Sequence, residues 1–112
     1  MAIWIDARVP VVFGAAEEAG PDEMLLAATD VGSPPAGAAC FDPGAAHEAG
    51  CACCALRSPA AEALGRLFQA RARGEAPFFR QVRVVAGPAG QDAIRAALAG
   101  DALVSARYRI GT

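Results

Sequence analysis

The stretch that decides the fold is "SPAAEALGRLFQARARGEAPFFRQVRVVAG", residues 58–87. Its first half has the period of a helix. Ala60, Leu64, Leu67, Phe68 and Arg71 recur at helical spacing, so one face is apolar. Ser58 is a candidate N-cap, Pro59 suits the first helical position, and Gly74 is a stop signal. The second half, "QVRVVAG", is short, β-branched and bounded by glycine. It predicts a strand over residues 81–87. A capped helix running into a buried strand predicts an α/β domain.

Working outward, "VPVVFG" (residues 9–14) predicts a second buried strand. "PDEMLLAATD" (residues 21–30) predicts a helix: Pro21 suits its first turn, Asp22 and Glu23 complement the dipole, and Met24, Leu25 and Ala28 share a face. "VGSPPAG" is a loop by its glycine and proline content. "AACFDPG" predicts a short strand ending at Asp42 and Pro43. "GQDAIRAALAG" predicts a helix with Ile94 and Leu98 on one face and Gly100 closing it. The last segment, "DALVSARYRIGT", supports two readings. Val104, Ala106, Tyr108 and Ile110 alternate like a strand, while residues 101–106 fit one helical turn. The alternating order predicts one α/β domain over residues 1–112, a small, mostly parallel sheet with flanking helices.

Composition narrows the function. The chain has 112 residues, 54% of them apolar and 20% charged, which suits one globular core rather than disorder. Its net charge of −2 argues against nucleic-acid and anionic-membrane partners. No apolar run approaches the roughly 20 residues that span a bilayer. "MAIWIDARVP" lacks a basic start and a long apolar run, so no signal peptide is expected and the expected location is cytoplasmic. All ten basic residues are arginine. No lysine is therefore available to cradle a phosphate or form a Schiff base.

Three of the four cysteines fall within four residues: Cys51, Cys53 and Cys54 in "AGCACCALRS". Thiolates suit zinc and cuprous ions, and a structural zinc site takes four ligands. Cys40 or His47 could complete a site within the chain, and a second chain could do the same. The motif also precedes a helix start, where thiol pKa values fall. The competing reading is a set of small buried side chains. Adjacent Cys53 and Cys54 reach one ion only if the backbone bends between them. His47 reads equally as a ligand or as a loop residue, with Glu48 a ligand, its acceptor or simply solvated. Cys40 reads as a buried structural thiol before a fourth ligand.

The flanks add a resemblance. "GCACCALRSPAAEALGRLFQARARGE" resembles the Cys-x-Cys-Cys segment of the CobW-type metallochaperone GTPases, through Gly50, Cys51, Cys53, Cys54, Leu56, Arg57, Arg73 and Gly74. "QVRVVAGPAG", "QDAIRAALAGDAL" and "ARYRIGT" follow in the family's order at similar spacing. The likeness covers residues 50–112 and extends more weakly to the "VPVV" strand. It implies part of a P-loop GTPase fold, with a metal, zinc or a similar transition ion, held at Cys51, Cys53 and Cys54.

The GTPase half is missing its chemistry. A phosphate loop reads G-x-x-x-x-G-K-[ST] after a strand. Over "FGAAEEAGPDEM" its first glycine falls on Ala15, its lysine on Pro21 and its hydroxyl on Asp22. Pro21 offers neither amine nor N–H, and Glu17, Glu18 and Asp22 place negative charge where phosphate would sit. A guanine-selecting Asn-Lys-x-Asp is impossible in a chain without Asn or Lys. The expectation is a shortened, degenerate relative that is not an enzyme and binds no nucleotide. Its role would be metal handling or sensing. The alternative is a non-catalytic module that forms a homodimer or pairs with a full-length CobW-type relative. Thiol redox work ranks below both, because a Cys53–Cys54 bridge is strained. "RARGEAPFFR" sets arginines beside two phenylalanines, and reads as a solvated helix end rather than an RNA contact.

Overall fold

In the computed structural model, residues 6–44 and 58–111 are described. Strands β1 (Val9–Phe13), β2 (Glu23–Ala28) and β3 (Ala39–Phe41) come first. Helix α1 (Pro59–Arg73), strand β4 (Gln81–Val85), helices α2 (Pro88–Gly100) and α3 (Ala102–Arg107), and strand β5 (Tyr108–Ile110) follow. The five strands form one sheet in the order β3-β2-β4-β1-β5. Every pairing is parallel. The α/β class expected from the sequence is the one observed.

The topology places the helices. The β3-α1-β4 and β4-α2-α3-β5 crossovers step across the sheet in the same direction. Crossovers of one hand that step one way lie on one face. The three helices among the described residues accordingly pack against one another and share one core with the sheet. Residues in register across parallel strands share a face. Val11 pairs with Val82, Met24 with Val82, Leu26 with Val84, and Val9 with Tyr108. That set faces the helices and contributes Val9, Val11, Leu26, Val82, Val84 and Tyr108 to the core, beneath Leu64, Leu67, Ile94, Ala97 and Val104. The opposite face carries Pro10, Val12, Glu23, Leu25, Arg83 and Val85, most of them half-buried.

Helix α1 forms as its sequence predicts. Ala61 N–H donates to Ser58 Oγ at 3.1 Å, Pro59 opens the first turn, and Gly74 ends the helix at φ 73°. That left-handed conformation favours glycine. The buried face runs through Ala60, Ala61, Ala63, Leu64 and Leu67. Tyr108 of β5 reaches across and donates its hydroxyl to Leu64 O at 2.8 Å. At the other end Arg71 Nε donates to Phe79 O at 2.7 Å, and its guanidinium lies 4.1 Å from the Phe78 ring centroid. The arginine–phenylalanine cluster of "RARGEAPFFR" thus clamps the helix end onto the start of β4.

Residues 21–30 overturn one expectation. They form no helix: Pro21 and Asp22 lie in a turn in which Glu23 N–H donates to Gly20 O at 3.2 Å, and Glu23–Ala28 is strand β2. The physical reason is burial. β2 lies between β3 and β4, with Leu26, Ala27 and Ala28 fully buried. Its run Met24–Ala28 is continuously apolar, and such a short run is not distinguished from a helix by periodicity. The strand–helix alternation is therefore incomplete, with β1, β2 and β3 joined by loops and 3-10 turns alone. The final segment takes both of its readings in succession, as α3 and then β5.

Candidate functional site at the C-terminal edge of the sheet

In open parallel sheets, ligands bind outside the carboxyl ends of the strands. Four connections leave that edge here. After β1, residues 14–22 lead to β2 with only a 3-10 turn, Ala16–Glu18. Ala15 N–H donates to Glu18 Oε1 at 2.7 Å, so a carboxylate of the chain occupies the first amide of the turn. This loop approaches the face that carries Arg83, opposite α1, α2 and α3: a Cβ on Gly14 would lie 2.5 Å from Arg83 Nη1 and 3.0 Å from Glu18 Oε1.

That face carries a polar cluster unforeseen in the sequence. Arg83 Nε and Nη2 donate to Glu23 Oε2 and Oε1 at 2.6 and 3.0 Å. Gln81 Nε2 donates to Glu23 Oε1 at 2.8 Å. The Arg83 and Glu23 side chains are only 14% and 12% exposed. Hydrogen bonding from Arg83 holds the Glu23 carboxyl below its ordinary range, against the opposing effect of burial. The alternation of Gln81 and Arg83 with Val82 and Val84 was the signal. Its partner Glu23 was hidden by the helical reading of its segment.

After β2, Asp30 closes a second anion-accepting position. Gly87 N–H donates to Asp30 Oδ1 at 3.1 Å and Gly90 N–H to Oδ2 at 3.0 Å. The N-terminus of α2 is capped by a carboxylate from another part of the chain, which suits both its free amides and its dipole. Asp30 is thus a cap acceptor rather than the end of a helix of its own. The fit is close, since a Cβ at Gly90 would lie 2.5 Å from Ala28 Cβ and 2.7 Å from Ala86 Cβ.

The third connection follows β3. Gly44 N–H donates to Asp42 Oδ1 at 2.8 Å, turning the chain out of the strand, and Ser58 caps α1 at the far side. In sequence, the cysteine motif fills the interval. His47, Cys51, Cys53 and Cys54 lie outside the described residues. Cys40 is the one candidate ligand among those described. It is exposed rather than buried, its Sγ lies 3.8 Å from Ala38 O, and its register with Ala27 puts it on the side of the sheet opposite α1, α2 and α3. Among the described residues, no group of three or more His, Cys, Asp or Glu side chains is placed to hold a metal ion. Nor is any described helix long and apolar enough to cross a membrane.

No family model, curated protein or solved structure matches this chain.

Proposed function

We propose that the protein binds a transition metal, zinc above all, through Cys51, Cys53 and Cys54, and serves metal handling or sensing without hydrolysing GTP. The observation that carries the reading is where the motif enters the fold. It connects the C-terminal end of β3 to the capped N-terminus of α1, the edge at which α/β domains hold ligands. Three thiols in such a connection are a soft donor set that suits zinc. His47 and Cys40 are candidates for the fourth position. The likeness to the CobW-type segment points the same way.

Among the described residues, two turns at this edge could receive a phosphate, and both support the non-nucleotide half of the reading. Glu18 fills one and Asp30 the other, and a phosphate would have to displace a carboxylate from each. A second reading, an interaction module acting through a homodimer or a CobW-type relative, has its own support. All helices among the described residues lie on one face, while Pro10, Val12, Leu25 and Val85 are half-buried on the other. Parallel sheets are ordinarily covered on both faces.

Cobalt(II) titration of the reduced protein tests the metal reading. Thiolate ligation produces intense near-ultraviolet charge-transfer absorption, and zinc should displace it. Cys53→Ala and Cys54→Ala should each abolish that absorption. Unchanged absorption in both variants, or none in the parent, refutes the assignment. A dimer that persists in chelator and in the cysteine variants would favour the interaction module.

A further inference from the structure

Strand β5 ends the sheet: among the described residues it has β1 on one side and no strand on the other. Gly111 N–H donates to Val11 O at 2.8 Å. Backbone groups of successive strand residues point to opposite sides. Ile110 therefore turns its N–H and C=O outward, away from β1, and no described residue meets them. In register with Val11, the Ile110 side chain lies on the face of α1, α2 and α3, yet it is 42% exposed. Beside it is an open pocket of about 370 Å³, mainly apolar, to which Leu98 and Ala99 of α2 contribute with Tyr108 and Ile110. Arg109, in register with Pro10, belongs to the opposite face. There Arg8 Nη2 meets Asp6 Oδ2 at 2.8 Å, and Arg109 Nε stands 3.6 Å from the same oxygen without a hydrogen-bond acceptor. Two guanidiniums share one carboxylate.

An unpaired edge beside an apolar socket is what strand addition uses. Main-chain hydrogen bonds supply affinity, and alternate side chains supply specificity. A strand laid along β5 would place successive side chains on opposite faces of the sheet. Those on the helix side meet Ile110, Leu98 and Ala99. Those on the other side meet Arg109, where positive charge exceeds negative and a carboxylate is the fitting group. A second copy of this chain is the poorer occupant, since its own Arg109 would bring like charge to the same edge. We propose that β5 takes up an extended segment of another protein in which apolar residues alternate with glutamate or aspartate. Backbone bonds at Ile110 anchor the segment, the apolar side chains fill the socket by α2, and a carboxylate meets Arg109. None of this depends on metal at the cysteine motif.

The test is an NMR titration of the intact, isotope-labelled chain with the capped peptide Glu-Val-Glu-Val-Glu. Binding should saturate with a Kd below about 1 mM. The Ile110 amide should move downfield and exchange more slowly, and the Leu98 and Ala99 amides should shift. A fully N-methylated analogue, which has no N–H to give, and the analogue with lysine for glutamate should each bind at least about tenfold more weakly. Ile110 is exposed, so Ile110→Asp should fold and lose at least about tenfold in affinity, its charge now opposing the peptide. Arg109→Gln, a milder change, should lose about threefold, whereas Arg66→Gln on α1 should bind as the parent does. Four results would overturn the proposal: no saturation, shifts that leave Ile110 untouched, equal binding of either analogue, or unchanged binding by both edge variants. A chain that is dimeric without peptide, with its Ile110 amide already protected, would overturn it in favour of a second copy.

Discussion

Gly90→Ala tests how closely α2 sits on the sheet. In an exposed helix interior the change stabilises by about 1 kcal/mol, because alanine is the better helix former. Here the new methyl would lie 2.5 Å from Ala28 Cβ and 2.7 Å from Ala86 Cβ, about 1 Å inside ordinary carbon–carbon contact. Both neighbours are Cβ atoms fixed to backbone, so no rotamer change relieves the clash. The first turn of α2 must lift, which strains its bonds to Asp30. Overpacking of this kind costs about 1–3 kcal/mol, and a weakened bond to a charged acceptor adds about 1 kcal/mol. Set against the helix gain, the net loss is about 2 kcal/mol. For a domain of this size that lowers Tm by roughly 8 °C. Gly100→Ala is the internal control. A Cβ there meets nothing within 4 Å, so that variant should be as stable as the parent or slightly more so. Urea unfolding of both variants reads the difference. A Gly90→Ala protein as stable as Gly100→Ala would refute the close approach of α2 to β2.

Three further outcomes follow from other contacts. Glu23→Gln removes the charge that Arg83 faces on the sheet, and should cost about 1–3 kcal/mol at neutral pH. Because the folded Glu23 carboxyl sits below its ordinary 4.5, its stabilisation is present above that value and is lost as pH falls through the lower folded value. The parent should therefore lose stability on acidification more steeply than Glu23→Gln, as read by urea midpoints against pH. Tyr108 behaves oppositely: burial raises its phenol above the ordinary 10.0, against the opposing influence of Arg71 and Arg107. Its contribution is complete below pH 10 and is lost as pH rises toward the folded value, so Tyr108→Phe should flatten the alkaline limb of the same profile. Asp30→Ala should cost about 1 kcal/mol by freeing two amides at the start of α2, and amide exchange at Gly87 and Gly90 should quicken.

What was legible in the sequence was local. Helix α1 announces both its ends, Ser58-Pro59 and Gly74, and β4 its alternation. Strand β2 did not, because its continuous apolar run, Met24–Ala28, lacks the alternation that would separate it from a helix. That single misreading hid two long-range features: Glu23, which meets Arg83 across the sheet, and Asp30, which caps a helix far along the chain. Neither has a local signature, since each depends on which strands become neighbours. The cysteine motif is the reverse case, since its chemistry can be read from spacing alone.

Elemental analysis with native mass spectrometry, on reduced protein never exposed to chelator, tests the central claim most directly. The account predicts about one transition-metal ion per chain or per dimer, lost in Cys53→Ala and Cys54→Ala. Metal-free protein that takes up neither zinc nor cobalt, or metal retained in full by both variants, would contradict it.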